Sequence, residues 1–372
     1  MNVVGAGIAG LATAAACARK GARVLLTEQA GDITEIGAGI QISPNGWAVI
    51  EALGLDQRLL DEGLRADSVE LLDGRDGRLV LKLDFQHAAP DRRWVFVHRG
   101  KLIAALEDAA RDAGARIALG TRLDTPKLPG RDGPVLVGAD GIRSVVRRAA
   151  FGPAEARFAG QVAWRAIIPD RTWRTVAQVY MGPRRHLVSY PLRGGLRNLV
   201  GIEERDDWVH EDWRQMDDPD RFRRAFASFA PQVARWLEMV EEVHLWGLFL
   251  HPVAKTWHRD GAVVIGDAAH PTLPFLAQGA NLALEDAWAL TRCLDEYDTV
   301  PRALTAFEQH RQPRAVRAVE AAFSNARAYH LENPALRYVA HSALRVGAKI
   351  APGVPLRRFE WLYGYDVRRE HL

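Results

Sequence analysis

The sequence predicts an α/β fold with a parallel-sheet domain, an inserted antiparallel β-sheet domain and a C-terminal helical segment. Three observations carry this. The chain opens as strand, glycine turn, helix and second strand, the order of a βαβ unit. Apolar and polar residues alternate from Gln161 to Glu204, with turns at Gly182-Pro183 and Arg193-Gly194-Gly195, as in an antiparallel sheet. From Pro301 onward the apolar spacing is helical, with breaks expected at Pro313, Pro334, Pro352 and Pro355.

In chain order, Asn2-Val3-Val4 is the first strand, and an Ala-rich helix follows the Gly5–Gly10 turn to about Lys20. Ala22 to Thr27 forms the second strand and closes with Glu28. The first strand and the loop over 123–134 read as cut short, as though residues were absent at both places. Val69 to Phe85 alternates around Asp73-Gly74 and Asp76-Gly77, a hairpin signal. A helix from Gly100 to about Gly114 gathers Leu102, Leu106, Ala109 and Ala110 on one face. Leu136 to Arg147 reads as strand, turn and helix start, Val263-Val264-Ile265 as a buried strand, and Gln278 to Leu294 as a helix. The parallel domain is therefore discontinuous, over 1–68, 98–155 and 255–300. The inserted sheet takes 69–97 and 156–254, and the helical segment 301–372.

Composition narrows the function. The 372 residues are 48% apolar and 26% charged, which supports buried cores and excludes intrinsic disorder. Forty-nine basic against 46 acidic side chains leave +3, with the signs interspersed, so neither nucleic acid nor a membrane surface is an expected partner. The eleven Trp residues are scattered without basic neighbours and read as packing, not as a base-stacking surface. Cys17 and Cys293 cannot form a disulfide framework or a metal knuckle; they read as buried thiols in a reducing cytoplasm, and no metal is expected. The apolar run Val3–Ala18 is too short for a transmembrane segment and lacks a basic leader.

Gly5, Gly7 and Gly10 form GxGxxG between a strand and a helix, and Glu28 falls 18 residues after Gly10. Such glycines let a pyrophosphate approach the positive helix end, while the acid accepts from ribose hydroxyls and disfavours a 2′-phosphate. The alternative is a glycine-rich helix entry used only for packing. Gly266-Asp267-Ala268-Ala269-His270-Pro271 follows the later buried strand. Asp267 there either bonds sugar or ribityl hydroxyls or merely caps a helix. The helix from Gly279-Ala280-Asn281 would point free N–H groups at an anion.

The combination of GxGxxG and Glu28, His98-Arg99, Gly138-Ala139-Asp140-Gly141-Ile142-Arg143-Ser144 and Gly266–Pro271 resembles the single-component FAD-dependent aromatic hydroxylases. It is most similar to their salicylate hydroxylase and 3-hydroxybenzoate 6-hydroxylase branch. Gly37-Ala38-Gly39-Ile40-Gln41, Pro44-Asn45, Gln278-Gly279-Ala280, Glu285-Asp286-Ala287 and Trp361-Leu362-Tyr363-Gly364-Tyr365-Asp366 support that branch. The resemblance implies a Rossmann-like FAD-binding domain holding non-covalent FAD. Gly5, Gly7, Gly10 and Glu28 would hold its ADP half, Arg99 and Asp267 the pyrophosphate and ribityl chain, and Gly39, Gly279, Ala280 and Asn281 would border the flavin. Asp140 belongs to a motif tied to FAD and nicotinamide nucleotide, with a role that is mainly structural or ligand-binding. NADH or NADPH would act as a transient co-substrate, since there is no second dinucleotide fingerprint. A homodimer is left open.

The implied chemistry is attack of an electron-rich ring on a flavin C4a-hydroperoxide formed with O2, the cofactor carrying the hard step. A base that removes a phenol proton helps. His186 and Tyr190 lie four apart on a predicted strand and so share a face, and they match the polar pair of this branch. Pro274 and Gln278 would complete the small aromatic substrate's cavity, Gln278 adding a hydrogen bond. The bland alternative makes His186 an exposed turn residue beside Arg184 and Arg185. His270 and His98 read as packing and strand-end orientation. The expected function is hydroxylation of a phenolic or heteroaromatic carboxylate. The alternatives are a monooxygenase or epoxidase on a larger non-carboxylate substrate, or a flavin-binding protein without turnover.

Overall fold

The computed structural model describes residues 1–33, 38–171, 174–208, 215–351 and 353–371. A six-stranded sheet runs in the order His258–Arg259, Ala262–Val264, Leu136–Gly138, Asn2–Val4, Leu25–Thr27, Arg116–Ala118. All its pairs are parallel except the edge strand His258–Arg259. Its central residues Val3, Leu26, Val137 and Val263 are wholly buried, as expected for a parallel sheet covered on both faces. Helix Ile8–Arg19 is buried nearly all round because its side chains are small. It lies against helix Gly279–Glu296, where Cys17 Sγ sits 3.2 Å from Thr291 Oγ1. Cys17 and Cys293 are both buried free thiols, and desolvation pushes each to about 11.

An eight-stranded sheet holds Met216–Asp217, Val243–Leu250, Arg157–Pro169, Leu196–Glu204, Arg185–Leu192, Val176–Gly182, Ser68–Asp73 and Leu79–Asp84, in that order. It is antiparallel apart from one parallel pair, Val176–Gly182 with Ser68–Asp73, which joins chain stretches a hundred residues apart. Its outer face is sealed by Phe222, Phe226 and Trp236 against Trp164 and Leu187. The inner face looks toward the parallel domain and the C-terminal helices.

Gly39–Ile42, Val95–His98 and Leu64–Arg65 form a small third sheet. Residues 95–97, expected with the antiparallel domain, therefore pair elsewhere. A strand's local alternation does not name its partner. The break expected at Pro313 is also absent: helix Val300–Tyr329 runs through it. Proline costs a helix one hydrogen bond, but Arg311 and Arg314 on either side are anchored in buried ion pairs. Pro334 and Pro355 do sit in the first turns of the helices Pro334–Ile350 and Val354–Arg357, whereas Pro352 lies outside the described residues. No described helix is long and apolar enough to cross a membrane.

Candidate functional site

Because the central strands are parallel, the segments that follow them emerge at one edge of the sheet. The Gly5–Gly10 turn follows Asn2–Val4, Glu28 follows Leu25–Thr27, Ala139-Asp140 follows Leu136–Gly138, and Gly266-Asp267 follows Ala262–Val264. The carboxyl edge of such a sheet is where dinucleotides bind. Gly5 has φ +100°, and a Cβ there would stand 2.5 Å from the Ala139 carbonyl oxygen. A Cβ on Gly10 would meet the Gly5 carbonyl oxygen at 1.9 Å. Both glycines are thus needed by the turn itself. Gly7 has open space before it and heads helix Ile8–Arg19 without a side-chain cap. Glu28 pins the turn: one carboxylate oxygen accepts from Ala6 N–H at 2.8 Å and the other from Ala30 N–H at 2.9 Å.

Asp267 is exposed to solvent although ringed by protein, as a side chain in a crevice is. Burial raises its carboxyl, while His270, Arg99 and His251 draw it down. Arg99 is thus one of the cationic groups near Asp267. Helix Gly279–Glu296 also begins there without a side-chain cap, and Gly279 Cα carries no group to block the approach, its nearest neighbour being Asp267 Oδ1. Two uncapped helix N-termini, glycines that admit a close ligand, a cation and two carboxylates fit a dinucleotide with a sugar-alcohol linker.

The sheet side is built as regularly. Leu187 points to the outer core, and His186, Val188 and Tyr190 point inward. His186 is 1% exposed, its ring 5.6 Å from Phe275 and 5.1 Å from Tyr329. The exposed-turn alternative for His186 is thereby overturned. The next two strands place Val200 and Arg165 beside Val188 on the same face, and the Arg165 guanidinium lies 5.1 Å over the Trp246 ring. The same register puts Tyr190 on this face with Arg165; burial pushes the Tyr190 phenol up and the Arg165 charge opposes it. Tyr190 reaches the small sheet: a Cβ on Gly39 would be 2.7 Å from its Cε2, and Gly39 N–H donates to Asn198 Oδ1 at 2.9 Å.

A family model for an FAD binding domain matches residues 1–131 and 132–322. The chain belongs to this family. The flavoprotein is 30% identical to a 3-amino-4-hydroxybenzoate 2-monooxygenase of Streptomyces platensis, over 98% of this chain and 96% of the relative. It is also 30% identical to the 3-hydroxybenzoate 6-hydroxylase of Polaromonas naphthalenivorans (strain CJ2), with the same coverage. A salicylate hydroxylase substrate complex shares its fold, with a TM-score of 0.81 over 99% of this chain and 95% of that one at 22% identity. The resemblance read from the motifs holds. The flavoprotein is a monooxygenase of aromatic compounds, with FAD as its cofactor.

Several motif residues of the flavoprotein turn inward instead of toward a ligand. Asp140 holds the start of helix Val145–Phe151, whose N-cap is Ser144, accepting from Ser144 Oγ at 2.5 Å and Val145 N–H at 2.7 Å. The Gln278 amide donates to Ser43 Oγ and Leu276 O and accepts from Asn45 Nδ2. Both its N–H donors are therefore used, and it cannot donate to a substrate without breaking a bond. The Asn281 side chain is bound to Ser43 N–H, Gln41 O and Ala277 O, leaving only main-chain groups of Gly279, Ala280 and Asn281 for a ligand. Gly39 is required by Tyr190 and Asn198, and Gly37 lies outside the described residues. Pro274 is exposed at the head of a short turn, while its neighbour Phe275 packs on His186. His98 caps helix Arg99–Asp112, and His270 is buried with Nε2 2.5 Å from Asp286.

Among the groups that escaped the sequence reading, two are built into this site and its support. Arg165 had no motif to mark it; only strand register puts it beside Val188. The other is a buried ionic cluster. Arg311 meets Glu285 at 2.7 Å and Asp286 at 2.9 Å, and Arg314 meets Glu285 at 2.7 Å. Asp286 also accepts from Gly266 N–H at 3.0 Å, and Asn45 donates to Glu285 at 2.6 Å. Arg314 further donates to the Trp361 and Leu362 carbonyls and lies 3.8 Å over the Tyr365 ring. The Gly266, Asn45, Glu285-Asp286 and Trp361–Asp366 motifs are thus parts of one clasp.

Proposed function

We propose that this flavoprotein hydroxylates a phenolic or heteroaromatic carboxylate with NAD(P)H and O2. The observation that carries the reading is the inner sheet face, where a buried imidazole (His186), a phenol (Tyr190) and a guanidinium (Arg165) lie on one side of the sheet. Bound reduced flavin supplies the oxygen-activating chemistry. His186 takes the substrate's phenolic proton, because burial first, and the neighbouring His330 ring second, oppose its protonation and hold it well below the usual range. Tyr190 orients the phenol, and Arg165 meets the carboxylate. Leu273, Phe275 and Trp246 keep the face dry. The relatives named for hydroxybenzoates agree with this substrate class.

A panel of hydroxylated benzoates and pyridine carboxylates, each beside its carboxamide, tests it. NADH consumption stimulated by an acid and not by its amide, with a hydroxylated product by mass spectrometry, is the expected result. Stimulation only by large uncharged rings would replace it with the non-carboxylate reading.

The cofactor half is tested through Glu28. We expect acid precipitation to release all the FAD, and Glu28→Ala apoprotein to rebind it more weakly by about 1.5–3 kcal/mol, roughly ten- to a hundredfold, through loss of a charge-assisted hydrogen bond. Reconstitution titration measures this. An unchanged dissociation constant would remove Glu28 from the ribose.

A further inference from the structure

Behind His186 two side chains form a line to the surface. His330, next after helix Val300–Tyr329, places Nε2 2.6 Å from His186 Nδ1. Its Nδ1 lies 2.6 Å from Oε1 of Glu204, the last residue of strand Leu196–Glu204. His186 and His330 are buried, whereas the Glu204 side chain is 29% exposed. The order is buried ring, buried ring, solvent-facing carboxylate.

We infer that His330 and Glu204 are positioning residues that fix the tautomer of His186 and carry its proton to solvent. The inference rests on the reading of His186 as the base. A carboxylate only accepts, so Glu204 requires the proton of His330 on Nδ1. His330 Nε2 is then the acceptor, His186 Nδ1 is the donor, and His186 Nε2 keeps its lone pair. The exposed carboxylate thereby decides, two residues away, which nitrogen of the buried ring is basic. When His186 Nε2 accepts the phenol proton, the Nδ1 proton passes to His330 Nε2. The His330 Nδ1 proton then passes to Glu204, and Glu204 releases it to water. One proton enters, one leaves, and no imidazolium stays stranded in the apolar face, where burial disfavours it.

The surroundings suit this direction. Arg184 Nε stands 3.5 Å from the second Glu204 oxygen, and burial, aided by the Arg185 charge and against the pull of Glu204, disfavours a second proton held on His330. Gln161 Nε2 is 3.5 Å from His330 Nδ1, too far to compete with the carboxylate at 2.6 Å. Phe275 and Tyr329 shield His186 from water.

The test uses FAD-loaded protein and 3-hydroxy-4-nitrobenzoate, whose phenolate is read by difference absorbance as pH is varied. Expected is a rise of about 1 in the apparent pKa of the bound phenol in His330→Phe and in Glu204→Gln, a tenfold change in its ionisation. Its deprotonation after a pH jump should slow by about ten- to a hundredfold. A packing defect alone would lower FAD content or melting temperature without moving that pKa. If His330→Phe fails to fold, Glu204→Gln, at the exposed end, carries the test. A shift in His186→Ala but in neither relay variant overturns the relay and leaves the base. A probe that ionises on the wild-type protein as it does in water overturns both.

Discussion

Arg311→Met is expected to cost about 3–5 kcal/mol of stability, because it leaves two buried carboxylates with too little positive charge. Glu285, Asp286 and Arg311 are all fully buried. Desolvation opposes both acids, yet Arg311 and Arg314 hold the Glu285 carboxyl below its usual range, and His270 and Arg311 do so for Asp286. A depressed carboxylate pKa contributes stability above the unfolded value and loses it as pH falls through the folded one. Removing the cation lets both acids bind protons more readily in the folded state. The deficit of the variant is therefore largest near neutral pH and narrows as pH falls toward 5. Denaturant titrations at the two pH values measure this. A loss under about 1 kcal/mol, or a gap that widens on acidification, would mean that Arg314 and His270 suffice. FAD affinity should fall too, since Asp286 holds Gly266 N–H and so aims Asp267 into the crevice.

How far the molecule can be read from its residues depends on whether a feature is local. The GxGxxG turn, the strand before it and Glu28 beyond it form one short unit, and their geometry follows from it. The strands of the inserted sheet follow from alternation, and the shared face of His186 and Tyr190 follows from a spacing of four. Partner choice does not. Nothing near Val95–His98 tells that it pairs with Gly39–Ile42, nor that Arg165 lands beside Val188. The same limit explains Gln278 and Asn281. Their place at a helix start marks them as ligand-facing, but their amides are bound to Ser43, more than 230 residues away. His330 shows it most plainly: it carries no motif, and only the return of the long helix to the sheet brings it behind His186.

Replacing His186 with Ala should separate two halves of the reaction. Reduction of the flavin by NAD(P)H and uptake of O2 need no base at the substrate's hydroxyl, so the variant should still consume NADH when substrate is present. The assisted step should slow by roughly 10²–10⁴-fold, the usual cost of removing a positioned general base. With hydroxylation that slow, reducing equivalents leave as hydrogen peroxide, and the hydroxylated product per NADH falls while peroxide per NADH rises. In the wild-type protein the buried imidazole loses its proton well below the ordinary range, so coupling should persist into mildly acidic solution. Only when His186 itself binds a proton should it collapse. The His186→Ala variant should show no such acid limb, because the titrating group is gone, and its remaining hydroxylation should instead rise with pH as the substrate's own phenol ionises. Product, peroxide and NADH measured together across pH settle the matter. A variant that stays fully coupled at an unchanged rate would leave Tyr190 or water as the proton acceptor and would make His186 a packing residue between Phe275 and Tyr329.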